Sequence, residues 1–380
     1  MFSNSFIPDM RFGADCFAET AAAAAALGDI DRALVVMDSF LAASGLANRL
    51  IDDLRAHGIT TALFADFAGE PKLPHLQTAT RAAKGAQLVI GVGGGSAMDI
   101  AKISACCAAS GQDPMFYALA ANPLPKNPLR KILVPTTAGT GAEMSATSIF
   151  TGSEGKKLWI WGPETKADLV ILDPALTVSL PPHLTAWCGM DAFIHAFEAA
   201  TNRDTHAGVQ LYAYEAMRLV AGALETAVKA PGNLDARGKV LLGSCYAGIA
   251  VDNCGTAIAH NISHALAGLA PIRHGLATAL GFEATLPWLV AAPTAQLDAA
   301  AKAIGLASAQ ELPSFASDLM DRCDIQRALP VAFDAVSPDE LANEMGAMEN
   351  RPMRRATARD IVDGDLVRFA EVIMSLPKTA

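Results

Sequence analysis

The sequence predicts an α/β domain followed by a domain built only from helices, and three observations support this fold class. In the first half, short apolar strands alternate with longer helical patterns, as in a parallel sheet with helices on both faces. Prolines at positions 174, 181 and 182 end this alternation. Beyond them the chain is rich in Ala and Leu at helical spacing. We therefore predict two domains, residues 1–180 and residues 181–380.

Apolar runs and turn residues define the individual elements. The predicted strands are Ala33–Met37, Thr60–Phe64, Gln87–Val92, Lys131–Val134 and Leu169–Leu172. The predicted helical segments are Leu41–His57, Gly95–Ala109, His183–Thr201, His206–Lys229 and Asp235–Ala267. Ile149–Trp161 is predicted to form a hairpin, because Gly152 and Gly155 bracket a turn. Pro181 and Pro182 suit the first turn of a helix, where a missing N–H costs nothing.

Composition and charge exclude several classes of protein. The net charge of −10, with no Lys/Arg cluster, argues against nucleic acid as a main partner. The Met1–Met10 segment lacks the basic start and apolar run of a signal peptide, and the alanine run Ala21–Ala26 is too short to span a membrane. The 7 cysteines are irregularly spaced and suit reduced thiols. We therefore expect a cytoplasmic protein with neither a nucleic-acid nor a membrane partner.

A glycine-rich turn joins a strand to a helix at Gly91–Asp99. Consecutive glycines let the backbone approach an anion closely, and the N-terminus of the following helix offers free N–H groups and a positive dipole end. Ser96 adds a hydroxyl donor. The turn is not a Rossmann fingerprint, since Ser96 stands where glycine or alanine is required, nor a Walker A loop. A phosphate-binding turn and a merely tight turn both remain open.

A second polar loop, Pro135–Gly141, follows the next strand and contains three threonines. Ligands of open α/β sheets bind at the carboxyl ends of strands, so this loop suits hydrogen bonds to a nucleotide. The alternative is a turn in which Thr140 or Ser145 caps a helix. Asp38 closes the first strand and could accept both ribose hydroxyls while repelling a 2′-phosphate, or it could cap the following helix.

One carboxylate and four histidines in the second half suggest a metal site. Asp191 and His195 are four residues apart, as are His260 and His264, so each pair shares one helix face. His274 follows shortly after. A carboxylate with several imidazoles suits a divalent transition ion. On spacing alone, both His260 and His264 are potential ligands.

These motifs together resemble the iron-containing (group III) alcohol dehydrogenase family. The matching residues are Gly93-Gly94-Gly95-Ser96-x-x-Asp99-x-x-Lys102, Pro135–Gly141 with Glu143, Gly189-Met190-Asp191-Ala192-x-x-His195-Ala196-x-Glu198, and His260-x-x-x-His264 with His274-Gly275. The resemblance implies an α/β N-terminal domain that binds a nicotinamide dinucleotide and an all-α C-terminal domain that holds a divalent metal. The same fold occurs in dehydroquinate synthase.

The resemblance also implies roles for individual residues. The implied metal ligands are Asp191, His195, His260 and His274, holding one divalent ion per chain, with Fe(II) expected first and Zn(II) next. The implied NAD-binding residues are Asp38, Gly94, Gly95, Ser96, Asp99, Thr136, Thr137, Thr140 and Lys157. His264 would sit near the nicotinamide and relay a proton to solvent, or it would only position cofactor or substrate.

The expected activity is reversible hydride transfer between a small alcohol and NAD, with the metal as Lewis acid, in a homodimer or larger homo-oligomer. Two departures from the family pattern stand near the ligands. They are Asn261-Ile262-Ser263, where small apolar residues are more usual, and Arg273, where proline is frequent. Arg273 would either hold an anionic group of the substrate or be structural. The alternatives to a dehydrogenase are a sugar-phosphate cyclase resembling dehydroquinate synthase and a non-catalytic protein that binds metal or nucleotide.

Overall fold

The computed structural model describes residues 2–379, which form two compact units. An α/β unit contains Ser5–Thr137 and Gly141–Val178. A helical unit contains residues 2–4, the short loop Ala138–Thr140 and the chain from Ser179 onward. The predicted fold class, an α/β domain followed by an all-helical domain, is confirmed.

The α/β unit is built on a parallel sheet. Its strands are β1 (Asp9–Phe12), β2 (Arg32–Met37), β3 (Thr60–Phe64), β4 (Leu88–Gly93), β5 (Arg130–Pro135) and β8 (Leu169–Leu172), in the order β1-β8-β5-β4-β2-β3. The hairpin strands are β6 (Thr147–Thr151) and β7 (Lys157–Trp161), which pair antiparallel as predicted. The helices are α1 (Thr20–Ala26), α2 (Ser39–Ala43), α3 (Leu46–Ala56), α4 (Leu73–Ala82), α5 (Gly95–Ser110) and α6 (Pro114–Tyr117). The central strands are nearly continuous apolar runs because helices cover both faces of the sheet.

The helical unit contains ten helices among the described residues. They are α7 (Pro182–Thr201), α8 (Ala207–Lys229), α9 (Leu234–Cys254), α10 (Ile258–Leu269), α11 (His274–Val290), α12 (Ala295–Ala303), α13 (Leu312–Arg322), α14 (Pro338–Gly346), α15 (Arg351–Ala356) and α16 (Asp363–Met374). A short parallel pair, β9 (Leu329–Pro330) and β10 (Lys378–Thr379), completes it. Pro182 is the first residue of α7, as predicted. Phe193 and Phe197 on α7 both pack edge-on against Phe282 of α11, which fixes these two helices within one core.

Two predicted helices are wrong because each is interrupted by a glycine. The segment Leu41–His57 is divided into α2 and α3 at Gly45, which has φ 89°. The segment Asp235–Ala267 is divided into α9 and α10 at Gly255, which has φ 76°. A left-handed residue ends an α-helix, and glycine adopts this conformation without steric cost. The apolar periodicity resumes after each glycine and so conceals the interruption.

The strand β1 was not predicted. It lies at the edge of the sheet, pairs with β8 alone and leaves Asp9, Met10 and Phe12 exposed. A short edge strand of mixed polarity gives no apolar run, so its sequence signal is weak. Among the described residues, none of the helices has the length and apolar content that a membrane crossing requires.

Candidate metal centre and cofactor loops

Four side chains from three helices of the helical unit converge on one point. Asp191 and His195 lie on α7, His260 lies on α10, and His274 is the first residue of α11. One potential ligand atom from each lies within 4.8 Å of all the others. The Nε2 atoms of His260 and His274 are each 3.5 Å from Asp191 Oδ1. Asp191, His195 and His260 are buried, whereas 36% of the His274 side chain is exposed.

The polar atoms of this cluster fit a bound cation. Asp191 Oδ1 and His260 Nε2 are buried and have no hydrogen-bond partner among the described residues. Such atoms each cost folding free energy, about 1–3 kcal/mol, unless something satisfies them. A divalent ion would satisfy both, and a carboxylate with three imidazoles is a donor set that Fe(II), Zn(II) or Co(II) accepts. The chemistry of the residues present therefore fits the implied metal.

His264 stands outside this cluster. It is half-buried on α10, one turn after His260, and its ring lies beside that of His274 with centroids 5.9 Å apart. The four-residue cluster does not include it. The geometry thus separates His260 from His264, a distinction that their spacing alone left open.

Glu198 fixes the orientation of the His260 ring. Its Oε2 accepts the Nδ1–H of His260 at 2.6 Å and the backbone N–H of Ala257 at 2.6 Å, and its Oε1 accepts the N–H of Ala259 at 2.7 Å. Because Glu198 holds a proton on Nδ1, Nε2 is the His260 nitrogen that remains to bind a metal, and it is the atom that faces Asp191. A carboxylate that holds the second nitrogen of a histidine ligand is a recurrent feature of metal sites.

A backbone carbonyl orients His195 in the same way. The Nδ1–H of His195 donates to the carbonyl of Gly139 at 3.2 Å, which leaves Nε2 for a metal. Gly139 can come this close only because it has no side chain, since a Cβ there would lie 2.8 Å from the Cys188 carbonyl oxygen on α7. The third histidine, His274, has its Nδ1 3.1 Å from the hydroxyl of Ser263.

The pKa values follow from burial and from the neighbouring charges. Burial lowers the pKa of His195 to about 4. Burial also opposes protonation of His260, but the carboxylates of Glu198 and Asp191 outweigh it and raise the pKa of His260 to about 9. Burial of Asp191 is likewise outweighed, chiefly by His195 and His274, so the pKa of this carboxyl is well below its usual range. In the metal-free protein, the proton on His260 is therefore the one that a metal must displace.

Gly275 allows α11 to start against α7. A Cβ at this position would lie 2.4 Å from the carbonyl oxygen of Trp187, a distance that real contacts do not reach. The close approach brings His274, the residue before it, to the helix that carries Asp191. Glycine is therefore required here for packing.

Sequence reasoning gave no role to Glu198, Ser263 or Gly139. The signal for Glu198 was available, because Asp191, His195 and Glu198 follow at i, i+4 and i+7 on one face of α7. Ser263 similarly follows His260 at i+3. The Gly139 carbonyl had no signal, because a backbone oxygen is present at every residue.

In the α/β unit, the two predicted cofactor loops are adjacent. Gly94 is the N-cap of α5, so the N–H groups of Gly95 and Ser96 in the first turn have no acceptor within the helix. A Cβ on Gly94 would lie 3.4 Å from the Thr137 hydroxyl, and the N–H of Thr136 donates to the Gly93 carbonyl at 2.9 Å. The ends of β4 and β5 thus bring Gly94, Gly95, Ser96, Thr136 and Thr137 together.

Asp38 caps a helix, which is one of the two roles that the sequence left open. Its Oδ1 accepts the N–H of Leu41 at 2.9 Å and caps α2. Its Oδ2 is turned toward the glycine turn, since a Cβ built on Gly93 would lie 3.8 Å from it. One oxygen is therefore used for capping, while the other faces the loop that is predicted to bind phosphate.

The remaining predicted cofactor residues have different surroundings. Asp99 accepts the N–H of Ile149 at 3.2 Å and lies 3.7 Å from the buried Lys102 ammonium, and burial raises its pKa to about 6. It therefore ties the hairpin to α5. Lys157 on β7 forms an ion pair with Glu70.

Thr140 belongs to the loop 138–140 of the helical unit. The helix-cap alternative for Thr140 and Ser145 is wrong, because the chain forms turns, not a helix, before β6.

The fold and the site define a two-domain protein with a glycine-rich turn in its α/β unit and a candidate divalent-metal centre in its helical unit. Residues 8–174 match the family described as "Iron-containing alcohol dehydrogenase", and residues 185–332 match "Fe-containing alcohol dehydrogenase family, C-terminal". The chain belongs to the iron-containing alcohol dehydrogenase family, so the resemblance inferred from the motifs is confirmed.

Individual relatives agree with this family. The chain is 36% identical over 251 residues to long-chain-alcohol dehydrogenase 1 of Geobacillus thermodenitrificans, covering 65% of this chain and 63% of that protein. It is 36% identical over 249 residues to sulfoacetaldehyde reductase of Bilophila wadsworthia, covering 65% and 64%. These alignments span less than two thirds of the relatives' own length. The crystal structure of sulfoacetaldehyde reductase from Bifidobacterium kashiwanohense in complex with NAD+ superposes with a TM-score of 0.91, at 27% identity and 99% coverage of both chains.

Proposed function

We propose that the protein is a metal-dependent, NAD(H)-linked alcohol dehydrogenase or aldehyde reductase that transfers hydride reversibly between a small alcohol and the nicotinamide. The observation that carries this proposal is the cluster Asp191, His195, His260 and His274, with its two unsatisfied buried atoms. The named relatives, which are dehydrogenases and reductases, support it. The residues for which we propose metal binding are these four, with Fe(II) preferred and Zn(II) next.

Each domain would have its own task in this reaction. A bound divalent ion supplies a Lewis acid for the substrate oxygen. In residues 181–380, the four ligands hold that ion, and the half-buried His264 passes a proton toward solvent. In residues 1–180, we propose that NAD is bound by Gly94, Gly95, Ser96, Thr136 and Thr137, with contributions from Asp38, Asp99 and Lys157. We propose the same role for Thr140, as the family resemblance implies.

The preferred substrate class is a small alcohol or aldehyde, and one observation favours an anionic member of that class. Arg273 is exposed, directly precedes His274 and has no ion-pair partner among residues 2–379. Burial, together with the Asp191 carboxylate, raises the pKa of the Cys188 thiol to about 12, and the Arg273 guanidinium acts in the opposite direction and lowers it. Both charges therefore lie near the same residue. A guanidinium next to a metal centre suits a carboxylate or sulfonate on the substrate. Two relatives named as sulfoacetaldehyde reductases support this second candidate.

An NAD-coupled substrate screen on Fe(II)-loaded and Zn(II)-loaded protein tests the function. We expect NADH to accumulate steadily with at least one alcohol, in wild-type protein but not in the metal-free Asp191→Ala variant. The panel should pair neutral n-alcohols with hydroxyalkyl sulfonates and hydroxy acids. If Arg273 binds an anionic group, Arg273→Gln raises KM for the anionic compounds alone. No turnover by metal-loaded protein with any alcohol or aldehyde would contradict the proposal.

The same screen separates the alternatives. A sugar-phosphate cyclase would use NAD only transiently, so steady NADH accumulation excludes it. NAD binding without turnover across the panel would favour a non-catalytic protein. The cytoplasmic location and the homo-oligomeric state expected from the sequence remain proposals.

A further inference from the structure

The most exposed histidine of the metal cluster is supported by a residue that is fully buried. His274 begins α11, and its Nδ1 lies 3.1 Å from the Oγ of Ser263 on α10. The same hydroxyl donates to the backbone carbonyl of His274 at 3.2 Å. Ser263 has 0% of its surface exposed. One serine therefore contacts both the ring and the backbone of a proposed ligand.

The two contacts fix which ring nitrogen of His274 carries the proton. A serine hydroxyl has one hydrogen and two lone pairs. A carbonyl oxygen can only accept, so the Ser263 hydrogen goes to the His274 carbonyl. The hydroxyl oxygen must then accept from the ring, which requires the proton to be on Nδ1. The lone pair of His274 is consequently on Nε2, the atom that lies 3.5 Å from Asp191 Oδ1.

We propose that Ser263 is a positioning residue that sets the tautomer and the orientation of His274 for metal binding, an inference that rests on the proposed metal site. Ser263 and His260 are three residues apart on one face of α10. This helix therefore supplies one ligand and also supports the ligand on α11.

The neighbouring departure, Asn261, has a different task. Its side-chain amide donates to the carbonyls of Met345 and Asn350, both at 3.1 Å, and so ties α10 to the segment that contains α14. Asn261 thus places the helix, while Ser263 acts on the ligand. The two polar substitutions in the motif are therefore separable by experiment.

Cobalt binding by the Ser263→Ala variant tests the proposal without relying on turnover. The metal-free enzyme is titrated with Co(II), and both the dissociation constant and the visible ligand-field bands are recorded. We expect affinity to fall about ten- to hundred-fold and the bands to weaken, because losing the partner of a histidine ligand typically has this effect. Ser263→Thr retains the hydroxyl, so its dissociation constant should lie within about three-fold of the wild-type value. This change is smaller than the roughly ten-fold minimum expected for Ser263→Ala.

Thr278→Val is the matched control. The Thr278 hydroxyl donates at 2.9 Å to the same carbonyl of His274 but forms no hydrogen bond with the ring. If Ser263 only anchored the backbone, Thr278→Val and Ser263→Ala would weaken Co(II) binding alike. We expect Thr278→Val to leave affinity and spectrum nearly unchanged.

Three outcomes would overturn the inference. Equal Co(II) affinities and spectra for wild type and Ser263→Ala would overturn it while leaving the proposed function intact. Equal losses of Co(II) affinity in Ser263→Ala and Thr278→Val would show that Ser263 only anchors the backbone of His274. Failure of the wild type to bind Co(II) at all would overturn both the inference and the proposed function. Should Ser263→Ala fail to fold, as judged by circular dichroism, Ser263→Gly takes its place with the same expectation.

Discussion

Replacing Glu198 with glutamine should weaken metal binding about ten- to hundred-fold, because the carboxylate holds the His260 ring in its ligand orientation. The perturbation is small in shape, since glutamine has the same length and volume. It removes the negative charge and one acceptor oxygen, and it adds an NH2 donor. Oε2 of Glu198 accepts two hydrogen bonds and Oε1 accepts one, from His260, Ala257 and Ala259.

The magnitude follows from these three bonds. A glutamine has one oxygen, so its NH2 group must face at least one N–H donor. Charge-assisted hydrogen bonds contribute about 1.5–3 kcal/mol and neutral ones about 0.5–1.5 kcal/mol. Losing one bond and weakening two costs about 4–6 kcal/mol before the easier burial of a neutral amide offsets part of it. A hundred-fold loss of metal affinity corresponds to about 2.7 kcal/mol, which is smaller than this cost because the easier burial of the neutral amide offsets part of it.

Chelator-competition titrations with Zn(II) and Co(II), at one pH and ionic strength, measure the effect. Thermal unfolding of the metal-free protein is recorded in parallel, to separate folding from binding. Glu225→Gln, at an exposed ion pair with Lys229 on α8, is the control and should bind metal like the wild type. Wild-type metal affinity in Glu198→Gln would refute the argument that Glu198 orients His260.

Three further predictions concern packing, cofactor choice and pH. Gly275→Ala should lower both Tm and metal occupancy, because a Cβ 2.4 Å from the Trp187 carbonyl forces α11 away from α7, and unchanged values would contradict the close approach. Asp38→Asn should keep the α2 cap but raise the ratio of kcat/KM with NADP to that with NAD, and an unchanged ratio would leave Asp38 a cap only. Metal affinity should rise up to ten-fold per pH unit from pH 7 to about 9 and then level off. The raised pKa of His260 means that its proton stabilises the metal-free fold fully below the ordinary pKa of 6.5, and that this stabilisation is lost as pH rises through about 9. Titrations at pH 7, 8 and 9 in a non-chelating buffer check this, and a flat profile would contradict it.

The sequence predicted those parts of the fold and site that depend on local periodicity. The strands Thr60–Phe64 and Leu169–Leu172 have the predicted bounds. Leu169–Leu172 is a continuous buried apolar run, whereas Thr60–Phe64 is an edge strand rich in threonine and apolar residues. Helical spacing brought Asp191 and His195 to one face. The edge strand β1 was not predicted, because its residues are partly exposed and pair with a strand more than 150 positions away. Long-range pairing of this kind leaves no local pattern.

Supports between elements are the part of the site that spacing could not show, and they form a continuous series. The loop 138–140 supports His195 on α7 through the Gly139 carbonyl. α7 in turn supports His260 on α10 through Glu198, and α10 supports His274 on α11 through Ser263. Each element that supplies a ligand is thus held by the element before it.

This arrangement predicts coupling between supports that do not touch. Glu198 and Ser263 act on different histidines, but both histidines would bind the same ion. Once one ligand is misplaced, the ion gains less from the correct orientation of the other, so the two losses in binding free energy should sum to more than that of the double variant. Co(II) titrations of Glu198→Gln, Ser263→Ala and the double variant form the cycle. Strict additivity would show that the ligands are supported independently and would contradict a shared metal centre of the kind that Asp191, His195, His260 and His274 define.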